Sequence, residues 1–154
     1  MRTLALLAIS MASPLMAQTC PSPAGWANPV HHLAAHTAEL KFALATGTSN
    51  EIGLLRANAV RLVVKGERPP KADSSAGLAA LDVTTQGKLD VILSNATYVD
   101  LVRDGRALKS TSHTDLKTCP GLRKSVSFDV VPGRYIVQLT NAPEKSVKMA
   151  TVMR

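Results

Sequence analysis

TYVDLVRDGR, Thr97 to Arg106, is the stretch whose reading decides the fold. Residues 97–103 alternate between two faces, as a half-buried strand does, and Asp104-Gly105 then supplies a tight turn into a partner strand over 106–110. The same grammar repeats outward along the chain. Residues 123–130 (RKSVSFDV) alternate, Pro132-Gly133 turns, and residues 134–140 (RYIVQLT) and 146–152 follow. Upstream, residues 78–85 and 88–94 flank Gln86-Gly87, read as a two-residue hairpin connection with positive φ at the glycine. Residues 59–65 (AVRLVVK) read as a strand that ends at Gly66, and 66–77 as a long exposed polar loop.

Eight or nine short strands at this spacing predict an all-β chain, an antiparallel β-sandwich or jelly roll. The expected core is aliphatic: Leu62, Val64, Leu81, Val83, Leu89, Val91, Leu93, Val99, Leu101, Val126, Phe128, Tyr135, Val137 and Leu139. Before the strands, residues 19–29 (TCPSPAGWANP) form a Pro- and Ala-rich lead that Trp26, the only tryptophan, is expected to plug against the core. Asn28-Pro29 predicts a short helical turn through about His36, with a strand over 38–44 after it.

The first residues carry an address. Arg2 precedes an apolar run, Leu4 to Met11, of signal-peptide length and too short to cross a hydrocarbon core of roughly 30 Å. Cleavage is expected after Ala17, so residues 1–17 read as a signal peptide and 18–154 as a single domain. Removing 17 of 154 residues leaves 137, enough for one core and too few for two. Gln18 and Thr19, bulky and polar directly before Cys20, argue against lipid attachment there. No later stretch reaches transmembrane length, so the expected location is the periplasm, without a membrane span.

Export changes how the cysteines read. Cys20 and Cys119 are the only two, and an oxidising compartment favours their pairing. Formal charge falls from +7 to +6 with the loss of Arg2. The basic residues are scattered and five aromatics cannot build stacking platforms, which excludes nucleic acid as an expected partner.

Catalytic constellations are poor. His32 and His36 would share a helix face at the i, i+4 spacing that grips zinc or copper, but Leu33 stands where a metalloprotease needs Glu. His113-Thr114-Asp115 has the H-x-D spacing of non-haem iron sites, and no second His follows it. Ser112, His113 and Asp115 are too close in sequence to assemble a hydrolase triad. No nucleophile elbow, phosphate-cradling loop or carboxylate pair stands out. The concentrated polar surface is His113, Asp115, Lys117, Arg123 and Lys124, on the loop that Cys119 would staple. It is the expected binding surface for a small anionic ligand or a protein partner. No catalytic residue and no cofactor are assigned.

Residues 98–139 also carry a resemblance. The frame Tyr98-Val-Asp-Leu-Val-Arg-Asp-Gly105, then Ser110-x-x-His113, Cys119-Pro-Gly-Leu-Arg-Lys124 and Pro132-Gly-Arg-Tyr135 resembles a family of small exported alphaproteobacterial proteins, and Ala24-Gly-Trp-Ala27 is similar too. Many of its members carry an automated label of homogentisate 1,2-dioxygenase. The ring-cleaving enzyme of that name is a cytosolic iron protein several times larger, with His and Glu ligands on a cupin core. The resemblance therefore implies export and no ligand set.

Overall fold

A computed structural model describes residues 17–154. The signal-peptide reading falls, apart from Ala17, outside the described residues. Among the described residues twelve strands form two facing sheets, with one short 3-10 turn between two of the strands in sequence. The first sheet holds β1 (Val30–Leu33), β3 (Ser49–Gly53), β12 (Ser146–Met153), β6 (Gly87–Leu93), β10 (Lys124–Val130) and β9 (Ser112–Asp115), in that spatial order. The second holds β2 (Ala43–Ala45), β5 (Ser75–Val83), β11 (Gly133–Ala142), β7 (Tyr98–Arg103) and β8 (Arg106–Ala107), with β4 (Leu55–Arg56) beside β5.

The expected sandwich is present. Strands β3-β12-β6-β10 face β5-β11-β7-β8, every neighbouring pair antiparallel, and the chain passes between layers from one long strand to the next. This interleaving is the strand order of a jelly roll. Two short pairings depart from the antiparallel expectation: β1 runs parallel to β3, and β2 parallel to β5.

Period-two patterning explains why the layers close. On β5, Leu81 and Val83 face inward; on β6, Leu89, Val91 and Leu93; on β11, Tyr135, Val137 and Leu139; all are buried in one core with Leu101 and Phe128. Two smaller clusters cover the outer faces. Ile92 and Ala150 pack with Leu116, Cys119, Leu122 and Trp26 outside the first sheet, so Trp26 plugs this satellite rather than the main core. Ala76 and Leu78 pack with Ala57 and Val60 outside the second.

Several expectations are corrected. Residues 28–36 form no helical turn: Val30–Leu33 is an edge strand whose backbone pairs with β3. Only 43–45 of the expected strand 38–44 and its neighbourhood is extended. Gln86-Gly87 is not a hairpin, because β5 and β6 belong to opposite layers. Their inward faces must meet across the core, so the connection carries the chain from one sheet to the other. Gly87 is required there by close approach: a Cβ would stand 2.8 Å from the Arg154 carbonyl oxygen. Asp104 and Gly105, with φ of 51° and 73°, do form the two-residue hairpin joining β7 to β8.

Residues 59–65 are not a strand either. The turn Ala57–Ala59 leads into irregular backbone lying over the outer face of β11. Gln138, fully buried, serves that segment in place of a ladder: its Oε1 accepts from Val63 N (2.8 Å) and Val64 N (3.2 Å), and its Nε2 donates to Val64 O (3.0 Å). Leu62 and Val64 consequently leave the core, and Val99 only borders it. Gln138→Leu keeps the volume and strands three backbone groups, an expected loss of roughly 2–3 kcal/mol in urea unfolding. A change below about 0.5 kcal/mol would show that water replaces the amide at no cost.

Candidate functional site

β9 and β10 pair antiparallel at the edge of the first sheet, with His113 opposite Val126 and Asp115 opposite Lys124. The intervening loop, 116–123, folds tightly because Leu116, Cys119 and Leu122 bury against Ile92. Backbone bonds Cys119 N to Leu116 O (2.8 Å) and Leu116 N to Arg123 O (2.9 Å) close it. Cys20 and Cys119 form a disulfide, with Cα atoms 5.5 Å apart, that ties the lead segment onto this loop. Gln18 adds a donor to the Asp115 carbonyl at 2.9 Å.

The structure divides the five sequence-predicted site residues into two groups. Asp115, Lys117 and Arg123 satisfy one another on the surface. Asp115 Oδ1 accepts from the Lys117 backbone N–H at 2.9 Å, Lys117 Nζ lies 3.2 Å from Oδ2, and Arg123 lies 3.4 Å from Oδ1. The Lys117 backbone bond first, and then its side chain and Arg123, hold the Asp115 carboxyl below its usual range. Exposed pairs of this kind contribute little to stability, and the one net positive charge that remains is screened by solvent.

His113 and Lys124 behave differently. Both line a cavity of about 470 Å³ at the open side of the sandwich, where β8 and β9 are the edge strands. The cavity exists because β8 is only two residues long. After Leu108, which still bonds Leu101 O at 2.8 Å, the chain leaves the second sheet and reaches the first at Thr111, whose N–H meets Ser127 O. The upper half of β7 is left without a neighbour on that side. Val99, Leu108, Val126 and Phe128 give the space an apolar wall.

Lys124 is 8% exposed and, among the described residues, belongs to no ion pair. Its Nζ lies 4.7 Å from the centre of the Tyr98 ring. Burial, and secondarily the Arg123 charge, push its pKa down to about 8. His113 is exposed at the mouth, one diagonal step from Lys124 across the β9–β10 ladder and on the same face.

Sequence reading missed the opposite wall. Asp100, on β7, is half-buried in the same cavity, and Gln138 Nε2 donates to its Oδ2 at 3.3 Å. Burial first, and the Glu67 charge in addition, hold its carboxyl above the usual range. Glu67 and Arg68 come from the loop before β5, which ends at residue 74 rather than 77 because Ser75 already pairs with Arg56, and the Arg68 guanidinium lies 5.5 Å from the Tyr98 ring centre. A carboxylate inside the otherwise hydrophobic strand Tyr98–Arg103 was the available signal.

The early histidines do not join this site. His31 Nδ1 lies 3.3 Å from Glu51 Oε2, His32 stacks on Phe42 with ring centres 5.1 Å apart, and the His36 carbonyl accepts from Arg61 N. Val30–Leu33 is a strand and residues 34–36 are not helical, so the helical i, i+4 pairing of His32 with His36 is not formed. β1 and β9 are the two outer strands of a six-stranded sheet. Five interstrand steps of about 4.8 Å separate them, roughly 24 Å, while ligand bonds are near 2 Å. His113 and His31 or His32 cannot share an iron, and the residues present do not fit the centre that the dioxygenase label implies. Among the described residues no group of three or more His, Cys, Asp or Glu side chains is placed to hold a metal ion, and no helix is long and apolar enough to cross a membrane.

In comparison with known proteins, no family model and no curated sequence matches the chain.

Proposed function

We propose that this chain is an exported binding module, non-catalytic, whose cavity receives the anionic group of a small amphipathic ligand at Lys124, with His113 at the mouth. One observation carries the reading: a lysine nine-tenths buried, without an ionic partner, in a cavity with an apolar wall. An ammonium partly withdrawn from water without a counter-charge is disfavoured, and an anion entering from solvent offsets that cost. The size of the space falls within the range of small-molecule pockets. Export is supported by the Leu4–Met11 run and by a disulfide that an oxidising compartment sustains.

Titration calorimetry with hexanoate as probe tests this. Binding is expected at pH 6.5, with affinity falling as pH rises through about 8, by up to tenfold per unit above it, because only the ammonium form attracts the carboxylate. Arg123→Ala, already matched by Asp115, is expected to change affinity by less than about threefold. Affinity independent of pH between 6.5 and 9.5 would remove Lys124 from the site.

A further inference from the structure

Six charged side chains line the cavity, Lys65, Glu67, Arg68, Asp100, Lys109 and Lys124, and two of them, of opposite sign, reach it from the sheets. Lys124 reaches in from β10 and Asp100 from β7, yet among the described residues neither belongs to an ion pair. The attraction of Lys124 is directed at the Tyr98 ring instead. Asp100 is met by an uncharged amide, that of Gln138, and the nearby Glu67 repels it. A half-buried carboxylate in no ion pair can receive a cation, just as the buried lysine can receive an anion.

We propose that the cavity selects a zwitterion, with an ammonium group received at Asp100 and the rim residue Glu67 while the carboxylate is held at Lys124. This rests on the anion-binding reading of Lys124 and adds a cationic subsite to it.

Geometry bounds the ligand. Tyr98 and Asp100 are two positions apart on one strand and share a face, a step of about 6.7 Å. Lys124 sits over the Tyr98 ring, so the two charge-binding points belong to neighbouring positions on that face. An ω-amino carboxylate or a short peptide, whose charged ends lie several bonds apart, suits two separate points, and the chain between those ends can lie along Leu108.

The test titrates the oxidised protein at pH 7 with 6-aminohexanoate, hexanoate and hexylamine, which share a chain and differ only in their charged ends, and with 4-aminobutanoate and 8-aminooctanoate to vary the span. At least one amino acid of the series is expected to bind about tenfold more tightly than hexanoate. In Asp100→Asn, which keeps the size and the Gln138 neighbour, that advantage is expected to shrink below about twofold while hexanoate affinity is unchanged. Hexanoate binding as well as every amino acid of the series would overturn the cationic subsite and leave the anion site standing. An amino-acid advantage that persists in Asp100→Asn would also overturn it. Failure of all five probes to bind, or hexanoate binding untouched by Lys124→Met, would overturn the anion site and this inference with it.

Discussion

Removing the Cys20–Cys119 bridge, as Cys20→Ala with Cys119→Ala, is expected to lower stability by roughly 4–5 kcal/mol. The two residues are 99 positions apart, so nearly the whole domain becomes an open chain in the unfolded state. For a domain of this size that corresponds to a fall in Tm of roughly 12–20 °C. Alanine is the informative substitution, because Cys119 is 2% exposed and a serine hydroxyl there would add its own desolvation cost. Thermal unfolding followed by circular dichroism, with the wild type under oxidising and reducing conditions alongside, measures the effect. A shift below about 5 °C would mean that the lead segment is held by Trp26 packing and the Gln18 bonds without the covalent tie.

Lys124→Met is expected to act in two opposite directions. At pH 7 it abolishes hexanoate binding and raises Tm by roughly 2–5 °C, since it replaces an unpaired buried charge by an apolar chain of similar length. The sign follows from linkage. The folded-state pKa of Lys124 lies near 8, below its ordinary 10.5, so folding disfavours the charged form. That penalty is complete below about pH 8 and relieved as pH rises towards 10.5. The stability gain of the variant should therefore be largest at neutral pH and vanish near pH 10.5. Denaturant unfolding at both pH values checks this. A variant that is less stable at pH 7 would assign Lys124 a packing role against Tyr98. A gain in stability with loss of binding is the pattern expected where a protein retains a strained group for function.

Much of the framework was legible in sequence because it rests on short-range rules. In 97–106, alternation marked β7 and Asp104-Gly105 marked a turn that needs two left-handed residues; both follow from local backbone sterics. Residues 59–65 show where such rules fail. Their Val- and Leu-rich pattern resembles a strand, but the partner for their backbone is a side chain 74 residues away, Gln138. The same limit applies to Val30–Leu33, which a cap signal marks as helical and a neighbouring edge converts to strand. Four residues carry too little intrinsic preference to resist a ladder of hydrogen bonds.

The candidate site divides along the same line. His113 and Lys124 were nominated because they cluster in sequence with Asp115, Lys117 and Arg123. Nothing local could reveal that three of the five pair with one another on the surface while the other two reach a cavity. Asp100 and Glu67 were missed altogether, since they come from another strand and from a loop read as exposed.

By itself the sequence determined the all-β class, the long strands, the β7–β8 turn and the cysteine pair, all of which depend on residue type, period and compartment. Only the tertiary structure decided the parallel edges, the crossing at Gln86-Gly87 and the placing of Lys124 and Asp100 on one cavity. The physical reason is that sheet order and burial are set by contacts between distant segments. A lysine is solvated on one edge and stranded on the next, and no local pattern distinguishes the two.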